Sequence, residues 1–329
     1  MLSFVARVKY PARDARISQQ EHPVPRAERK IVDAISLNNV TKSYDEVKAV
    51  DGVSLQVREG AVLGLLGPNG AGKTSTIRMI MNILAPDEGS IRVFGQPVGD
   101  ETRHSIGYLP EERGLYPRMK VLDVIVFLGA LRGLSESEAE KRAREWLDRF
   151  ELKDWAEQKV QDLSKGMQQK VQFICAVLHK PQLLILDEPF SGLDPVNAAT
   201  VKDTMLELRD QGSTVVLSTH RMEQVERMCD SICLINKGRN VLDGDLRAIK
   251  QSYGKNTVHI EFTGPDSFLT HPGVASVNRF GSGAEAKLKP GGDPQEILKA
   301  ALESGARINR FELLEPSLND IFIEKTTHA

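Results

Sequence analysis

A glycine-rich segment near residue 70 has the residue types and the spacing that bind phosphate. Its letters are GPNGAGKT over residues 67–74, and they fit the pattern G-x-x-x-x-G-K-[ST]. Because glycine lacks a Cβ, such a backbone can turn several N–H groups toward one anion, and Lys73 adds a full positive charge. A glycine-rich turn with a chance lysine is the alternative. The residues expected to contact a nucleotide here are Gly67, Pro68, Asn69, Gly70, Ala71, Gly72, Lys73, Thr74 and Ser75.

Two adjacent carboxylates end an apolar run farther along the chain, in the letters LLILDE over residues 183–188. Asp187 and Glu188 would then stand at the carboxyl end of a buried strand, where parallel sheets bind ligands. Hydroxyl and carboxylate oxygens suit Mg²⁺, so we predict Thr74 and Asp187 as its ligands, Asp187 directly or through water. Glu188 is predicted to accept a proton from the water that attacks the γ-phosphate of ATP. An ordinary acidic turn is the alternative.

Three short apolar runs predict the strands that position these groups. They are AVLGLL at 61–66, LLIL at 183–186 and TVVL at 214–217. Continuous apolar character is typical of strands that are buried on both faces. Because each run is followed by polar turn residues and a helical pattern, a mostly parallel sheet is expected. A helix is expected after the glycine loop, over the apolar run 76–84.

The pattern of apolar and polar residues changes twice in the rest of the chain. Residues from 121 to about 180 show helical periodicity, with a capping pattern at Ser135 and Glu138, and predict a helical insert over about 115–180. After residue 244, apolar and polar residues alternate at 258–262, as in a half-buried strand. Further helices are expected to begin at Asp293 and Ser317, so the C-terminal part is predicted to be a small α+β domain.

The predicted organisation is therefore a mobile N-terminal tail over 1–34, a nucleotide-binding domain over 35–244 and a small domain over 245–329. The tail is polar and proline-punctuated, and its letters have no secretory-signal pattern. Forty-three basic and forty-five acidic residues give a net charge of -2, which disfavours nucleic acid as a partner. The longest apolar run, 121–131, is interrupted by Asp123, so no membrane-spanning helix is expected. The cysteines form no zinc pattern and suit a reducing cytosol.

The letters LSKGMQQK over residues 163–170 resemble the signature segment of ABC ATPases, usually written L-S-G-G-Q. Ser164 and Gly166 keep that pattern, whereas Lys165 and Met167 depart from it. The resemblance implies that Ser164 and Gly166 grip the γ-phosphate bound to an opposite subunit, and a serine hydroxyl at a helix N-terminus suits an anion. Simple helix capping by Ser164 is the alternative.

Other segments resemble the remaining ABC motifs, in the family's order. FSGLDP at 190–195 is similar to the loop that communicates across the nucleotide sandwich and contains Asp194. His220 resembles the switch histidine that holds the γ-phosphate and the attacking water, and Tyr44 matches the aromatic residue that stacks on adenine. Structural roles are the alternatives for both. Glu111 stands where the family has glutamine; it can offer an oxygen to Mg²⁺ but adds negative charge.

The resemblance implies a P-loop ABC ATPase fold, with a parallel-sheet core, an antiparallel β subdomain and a helical subdomain. It implies a homodimer or a heterodimer of ATPase subunits, because each site needs the signature segment of the partner. It also implies that Lys73, Glu188 and His220 are catalytic. The implied role is to energise a separate membrane permease from the inner face of the cell membrane. The letters GYLPEERGLYP at 107–117 resemble ATPases of an ABC-2 type exporter group that includes sodium and drug efflux systems.

The sequence disfavours two other functions. A soluble ABC ATPase that acts on ribosomes or nucleic acid is disfavoured by the single cassette, the lack of a long heptad tract and the balanced charge. A regulator without catalysis is disfavoured because Lys73, Asp187, Glu188 and His220 are all present. The sequence does not report the transported molecule.

Overall fold

A six-stranded sheet carries the phosphate loop and both carboxylates. The computed structural model describes residues 33–112, 114–254 and 256–327. The strands of this sheet are β3 (Val62–Leu66), β6 (Ile106–Leu109), β7 (Leu183–Asp187), β8 (Thr214–Thr219), β9 (Ser231–Asn236) and β10 (Arg239–Asp245). Their order is β10-β9-β3-β8-β7-β6, and all neighbours pair in parallel except β9 and β10. The predicted parallel sheet is confirmed.

The apolar runs at 61–66, 183–186 and 214–217 are indeed strands with both faces covered. In β3, Val62 and Leu66 belong to one hydrophobic cluster, whereas Leu63 and Leu65 belong to another on the opposite face. Successive side chains of a strand point to opposite faces. A strand between two covered faces therefore needs apolar residues at every position, which is why β3 is buried along its whole length.

An antiparallel sheet covers one face of the central sheet. Its strands are β1 (Asp33–Tyr44), β2 (Val47–Arg58), β4 (Glu88–Val93) and β5 (Gln96–Pro97), in the order β2-β1-β4-β5. The helix α1 (Lys73–Ile80) packs in the same cluster, through Ile77. The tail predicted over 1–34 lies outside the described residues except for Asp33 and Ala34, which begin β1.

The helix after the glycine loop is shorter than predicted and begins earlier. It starts at Lys73 and ends at Ile80, instead of running over 76–84. Asn82 adopts φ +53°, the left-handed conformation that ends helices. The residues up to 84 therefore form turns, although their apolar letters continue the helical pattern.

Helices cover the other face of the central sheet. The insert contains α3 (Val121–Ala130), α4 (Glu136–Arg149) and α5 (Lys165–Val177), with 3-10 turns at Lys153–Trp155 and Val160–Asp162. Ser135 Oγ accepts a hydrogen bond from the Glu138 N–H at 3.3 Å, as predicted. The other half of the capping box does not form, because the Glu138 carboxylate accepts from Arg142 Nε at 2.6 Å. A guanidinium is a stronger donor to a carboxylate than a backbone amide is.

Four more helices complete this part of the chain. They are α2 (Asp100–Arg103), α6 (Pro195–Asp210), α7 (Met222–Met228) and α8 (Leu246–Tyr253). The helix α6 has Pro195 in its first turn, behind Asp194 as the N-cap. Among the described residues, no helix is long and apolar enough to cross a membrane.

The C-terminal part contains a second antiparallel sheet. Its strands are β11 (Thr257–Thr263), β12 (Val274–Phe280), β13 (Gly283–Leu288) and β14 (Arg307–Leu314), in the order β12-β13-β11-β14. One 3-10 turn (Ser267–Thr270) and two helices, α9 (Pro294–Glu303) and α10 (Leu318–Thr327), accompany it. Asp293 caps α9, and Ser317 and Asp320 form a reciprocal capping box at α10. Both predicted helix starts are therefore correct.

Candidate active site

The phosphate loop connects β3 to α1 and is held in place by backbone packing. Gly67 and Gly72 adopt φ +149° and +109°, which L side chains rarely take. A Cβ at Gly67 would lie 2.2 Å from the Ile235 carbonyl oxygen, and one at Gly72 would lie 2.3 Å from that of Ala49. The glycines are therefore required both by conformation and by the close approach of neighbouring backbone.

Lys73 is the first residue of α1 and lies beneath the loop. Only 7% of the residue is exposed, and its Nζ donates to the carbonyl oxygens of Gly67 at 2.7 Å and Pro68 at 3.1 Å. Burial lowers the pKa of Lys73, and the charges of Glu188 and Asp187 act in the opposite direction. A phosphate in the loop would supply a further negative charge that favours the protonated amine.

Thr74 and Asp187 meet at the end of β7. The Thr74 hydroxyl donates to Asp187 Oδ2 at 3.2 Å, and Asp187 is only 1% exposed. Burial raises the pKa of Asp187, so a cation beside it would favour its charged form. A hydroxyl and a carboxylate side by side fit Mg²⁺, which is commonly held by few protein oxygens together with nucleotide and water. Within the described residues, no group of three or more His, Cys, Asp or Glu could hold a metal.

Glu188 lies one residue beyond Asp187 and points toward the end of β8. Its φ is +48°, which turns the side chain away from the line of the strand at an energetic cost. Glu188 Oε1 accepts from the His220 backbone N–H at 2.9 Å and lies 2.7 Å from His220 Nδ1. Since a carboxylate only accepts, Nδ1 carries the proton in this arrangement. The structure thus joins Glu188 and His220, which are 32 residues apart.

The segments predicted to act across a dimer make local bonds. Ser164 Oγ caps α5 by accepting from the Met167 N–H at 3.3 Å, and Asp194 Oδ1 caps α6 by accepting from the N–H groups of Val196 and Asn197. Gly166 lies close to the 190–195 loop, since a Cβ on Gly166 would be 3.4 Å from the Gly192 carbonyl oxygen. These contacts fix the segments, and their roles toward a second subunit remain predictions.

Glu111 follows β6 in an exposed turn. Its negative charge acts on Lys73 through space and partly offsets the lowering of that amine's pKa by burial, and it is not part of the hydrogen bond between Thr74 and Asp187. Its role as a Mg²⁺ ligand remains a prediction.

Three polar residues support the site and were not singled out from the sequence. The Thr219 hydroxyl donates to Glu188 Oε2 at 3.1 Å, Gln169 Nε2 donates to the Pro189 carbonyl at 3.2 Å, and Gln172 Nε2 donates to that of Glu112 at 3.0 Å. All three are at most 5% exposed. Buried polar side chains are rare without hydrogen-bond partners. Polar residues inside the apolar patterns of β8 and α5 could therefore have indicated these supporting residues from the sequence.

Tyr44 ends β1 close to the phosphate loop. It is 41% exposed, and its hydroxyl lies 3.4 Å from Ser75 Oγ, in the first turn of α1. The ring is therefore open to solvent beside the loop. This position suits the predicted stacking on adenine.

Replacing Tyr44 by alanine is expected to raise the Kd for ATP about tenfold, because base stacking on an aromatic ring contributes about 1–3 kcal/mol. Tyr44→Phe keeps the ring and loses only the long contact to Ser75, so its Kd should stay within about twofold of the unchanged protein. Titration of a fluorescent ATP analogue measures both values. Equal affinities for Tyr44→Ala and the unchanged protein would contradict the stacking role.

Two family models match the chain. The model described as ABC transporter matches residues 50–191, and the one described as ATP-binding protein DrrA1-3-like, C-terminal domain, matches residues 244–326. The first range contains the phosphate loop, the signature segment and both carboxylates.

Similar proteins are ATP-binding proteins of ABC transporters. The chain is 48% identical to the uncharacterised ABC transporter ATP-binding protein YhaQ of Bacillus subtilis, over 88% of this chain and 98% of that protein. It is 37% identical to the linearmycin resistance ATP-binding protein LnrL of the same organism, over 68% and 73% of the two chains. It is 34% identical to the Nod factor export ATP-binding protein I of Sinorhizobium fredii, over 89% and 86%.

Solved structures agree with these relatives. An ATP-binding subunit of an ABC transporter superimposes with a TM-score of 0.64 and 34% identity, over 67% of this chain and 93% of that one. A dimeric ATP-binding cassette in a post-hydrolysis state, bound to ADP and Pi, gives a TM-score of 0.61 and 27% identity, over 65% and 99%.

Proposed function

The chain belongs to the ABC transporter family, and we propose from this premise that it is the ATP-hydrolysing subunit of an exporter with a separate membrane permease. As a member of this family it is an ATPase and binds nucleotide. The observation that carries the proposal is that Lys73, the Thr74–Asp187 pair and the Glu188–His220 pair lie together at the carboxyl end of parallel strands. The cofactors proposed are ATP and Mg²⁺.

The proposed mechanism assigns one task to each group. The loop N–H groups and Lys73 would hold the phosphates, and Thr74 and Asp187 would hold Mg²⁺, whose charge would offset that of the phosphates. Glu188 accepts the proton of the attacking water, and Thr219 and His220 keep its carboxylate oriented toward that water. In a dimer, Ser164 and Gly166 of one subunit would complete the site of the other.

Export is the transport direction that the relatives favour. One relative is named for linearmycin resistance and another for Nod factor export, and residues 244–326 match the model described as ATP-binding protein DrrA1-3-like, C-terminal domain. We therefore place the protein at the inner face of the cell membrane, attached through the permease.

A groove beside the helical insert supports docking of the membrane permease. Its volume is about 420 Å³, and its rim includes Ile83 and Leu131, which are 56% and 60% exposed. Two acceptors within it, Gln172 Oε1 and His179 Nδ1, are buried without a hydrogen-bond partner among the described residues. Burial lowers the pKa of His179 to about 4, and its Nε2 donates to the Ile106 carbonyl, so Nδ1 is an acceptor at neutral pH. A partner that brings apolar side chains would cover the exposed apolar rim of this groove.

Replacing Leu131 by glutamate is expected to detach the permease without loss of the isolated subunit's activity. A carboxylate at the docking rim would lose its hydration on contact. The test is affinity purification of the tagged full chain from detergent-solubilised membranes, with identification of the associated membrane protein. Leu302→Glu, an equally exposed position (60%) on α9, is the matched control.

The control and the unchanged chain should retain the same membrane-spanning protein, while Leu131→Glu should retain at least tenfold less of it. Activity of the purified subunit should stay within about twofold for both variants, since exposed substitutions seldom change stability much. Equal recovery with Leu131→Glu would overturn the docking surface, and purification of the unchanged chain without any membrane protein would overturn the separate permease.

A further inference from the structure

The last helix, α10, packs against the nucleotide-binding part of the chain. Leu318 and Ile321 are 2% and 1% exposed and belong to the same hydrophobic cluster as Leu217 of β8 and Val225 of α7. The sheet of β11–β14 has its own separate cluster, which α9 covers through Ile297. A helix that follows the C-terminal sheet is therefore part of the ATPase core.

Glu226 of α7 joins three helices. One of its oxygens accepts from the Leu318 backbone N–H, at the first turn of α10, and the other accepts from Lys250 Nζ of α8 at 3.1 Å. The first N–H groups of a helix have no partner within the helix. Ser317 satisfies the N–H of Asp320, so Glu226 takes the Leu318 N–H and places a negative charge at the positive end of α10.

The helix α7 depends on tertiary contacts with neighbouring helices and strands for its position. It has only seven residues, and no side chain caps its N-terminus at Arg221. Isolated helices of that length are unstable in water, so tertiary contacts must place α7. On one side Val225 packs against β3 so closely that a Cβ at Gly64 would lie 2.6 Å from it. Glu226, the next residue, connects α7 to α8 and α10 through the two hydrogen bonds to Lys250 and Leu318.

The start of α7 lies next to the proposed catalytic pair. His220 precedes α7 by two residues, and the Arg221 N–H donates to Thr219 Oγ1 at 3.1 Å, the same hydroxyl that donates to Glu188. An open crevice of about 600 Å³ is lined both by His220 and by Ser317 and Asn319 at the start of α10. A shift of α7 would therefore move His220 relative to Glu188.

We propose that Glu226 is a positioning residue for ATP hydrolysis, which anchors α7 to α10 and so keeps His220 on Glu188. The inference rests on the proposed catalytic roles of Glu188 and His220. It assigns to the C-terminal helix a direct effect on the rate of hydrolysis.

The first test compares Glu226→Ala with Glu223→Ala, a neighbouring exposed glutamate on the same helix. Glu226→Ala should lower the kcat of the purified full chain about tenfold, which is less than the roughly hundredfold loss that a 1 Å misplacement can cause. Its KM for ATP should stay within about twofold, because Tyr44 and the phosphate loop are not on α7. Glu223→Ala should keep both constants. An unchanged kcat for a folded Glu226→Ala protein would overturn the proposal.

The second test removes only the donor. Leu318→Pro and Leu318→Ala both lose apolar contact, but proline alone lacks the N–H that bonds to Glu226, and proline is well tolerated in the first turn of a helix. We expect kcat to fall about fivefold more for Leu318→Pro than for Leu318→Ala, at similar melting temperatures. Equal kcat values for the two variants would mean that the bond has no role in turnover.

A double-mutant cycle separates positioning from general loss of stability. In a His220→Ala background, adding Glu226→Ala should change single-turnover hydrolysis less than twofold, while the melting temperature still falls. A further tenfold loss of rate would show that Glu226 acts elsewhere. If His220→Ala itself hydrolyses ATP at the unchanged rate, the catalytic role of His220 fails; if only His220→Ala is impaired, the positioning role of Glu226 fails alone.

Discussion

Replacing Glu188 by glutamine is expected to lower the kcat of ATP hydrolysis about 10²- to 10⁴-fold, the usual contribution of a positioned general base. The amide has nearly the same shape, and with its oxygen in the place of Oε1 it still accepts from the His220 N–H, while its NH2 group faces the Thr219 hydroxyl, which can accept. It is not basic, so it cannot take a proton from water. The change therefore removes the chemistry while most of the local geometry persists.

ATP binding should survive in Glu188→Gln, because the contacts assigned to the phosphates belong to the loop and Lys73. We expect the Kd for ATP to stay within about threefold and the ATP-bound protein to accumulate as a dimer on size-exclusion chromatography. Glu145→Gln, at an exposed position of α4, controls for loss of a carboxylate. A Glu188→Gln protein with unchanged kcat would refute the general-base assignment.

Replacing Lys73 by alanine is expected to weaken ATP binding about 10- to 100-fold, because hydrogen bonds to charged groups contribute about 1.5–3 kcal/mol. Turnover at saturating ATP should also fall about 10²-fold or more, since the same charge stabilises the transferring phosphoryl group. Lys73 Nζ already lies under the loop, within 3.1 Å of two of its carbonyl oxygens. Alanine would leave those acceptors and the phosphates without this donor.

Calorimetric titration with ATP and Mg²⁺, together with steady-state hydrolysis, measures both losses. Lys299→Ala removes a lysine whose side chain is 77% exposed on α9, and should change neither constant. A Lys73→Ala protein that binds ATP as tightly as the unchanged chain would show that the loop backbone alone holds the phosphates. The two variants thus differ in kind: Glu188→Gln should bind and fail to hydrolyse, whereas Lys73→Ala should fail at both.

The prediction of the fold from the sequence succeeded where a local pattern carries its own physical cause. The runs that became β3, β7 and β8 are apolar at every position because both faces of the sheet are covered. The helix starts at Asp293 and Ser317 follow from side chains that bond to N–H groups two or three residues away. The predicted end of α1 at residue 84 was wrong, because the helix stops before the turn at Asn82 although the residues that follow are apolar.

The phosphate loop was determined by the sequence alone, because its glycines, Lys73 and Thr74 are contiguous and a short chain segment fixes their relative positions. The sequence also predicted that Thr74 and Asp187 hold one ion, and they lie 3.2 Å apart. Only the tertiary structure showed that Thr219 bonds to Glu188 across 31 residues, and that the buried side chains of α10 join the cluster of β8 and α7 while its first N–H bonds to Glu226. Such contacts follow from strand order and from which buried surfaces match in shape, and these depend on the whole chain at once.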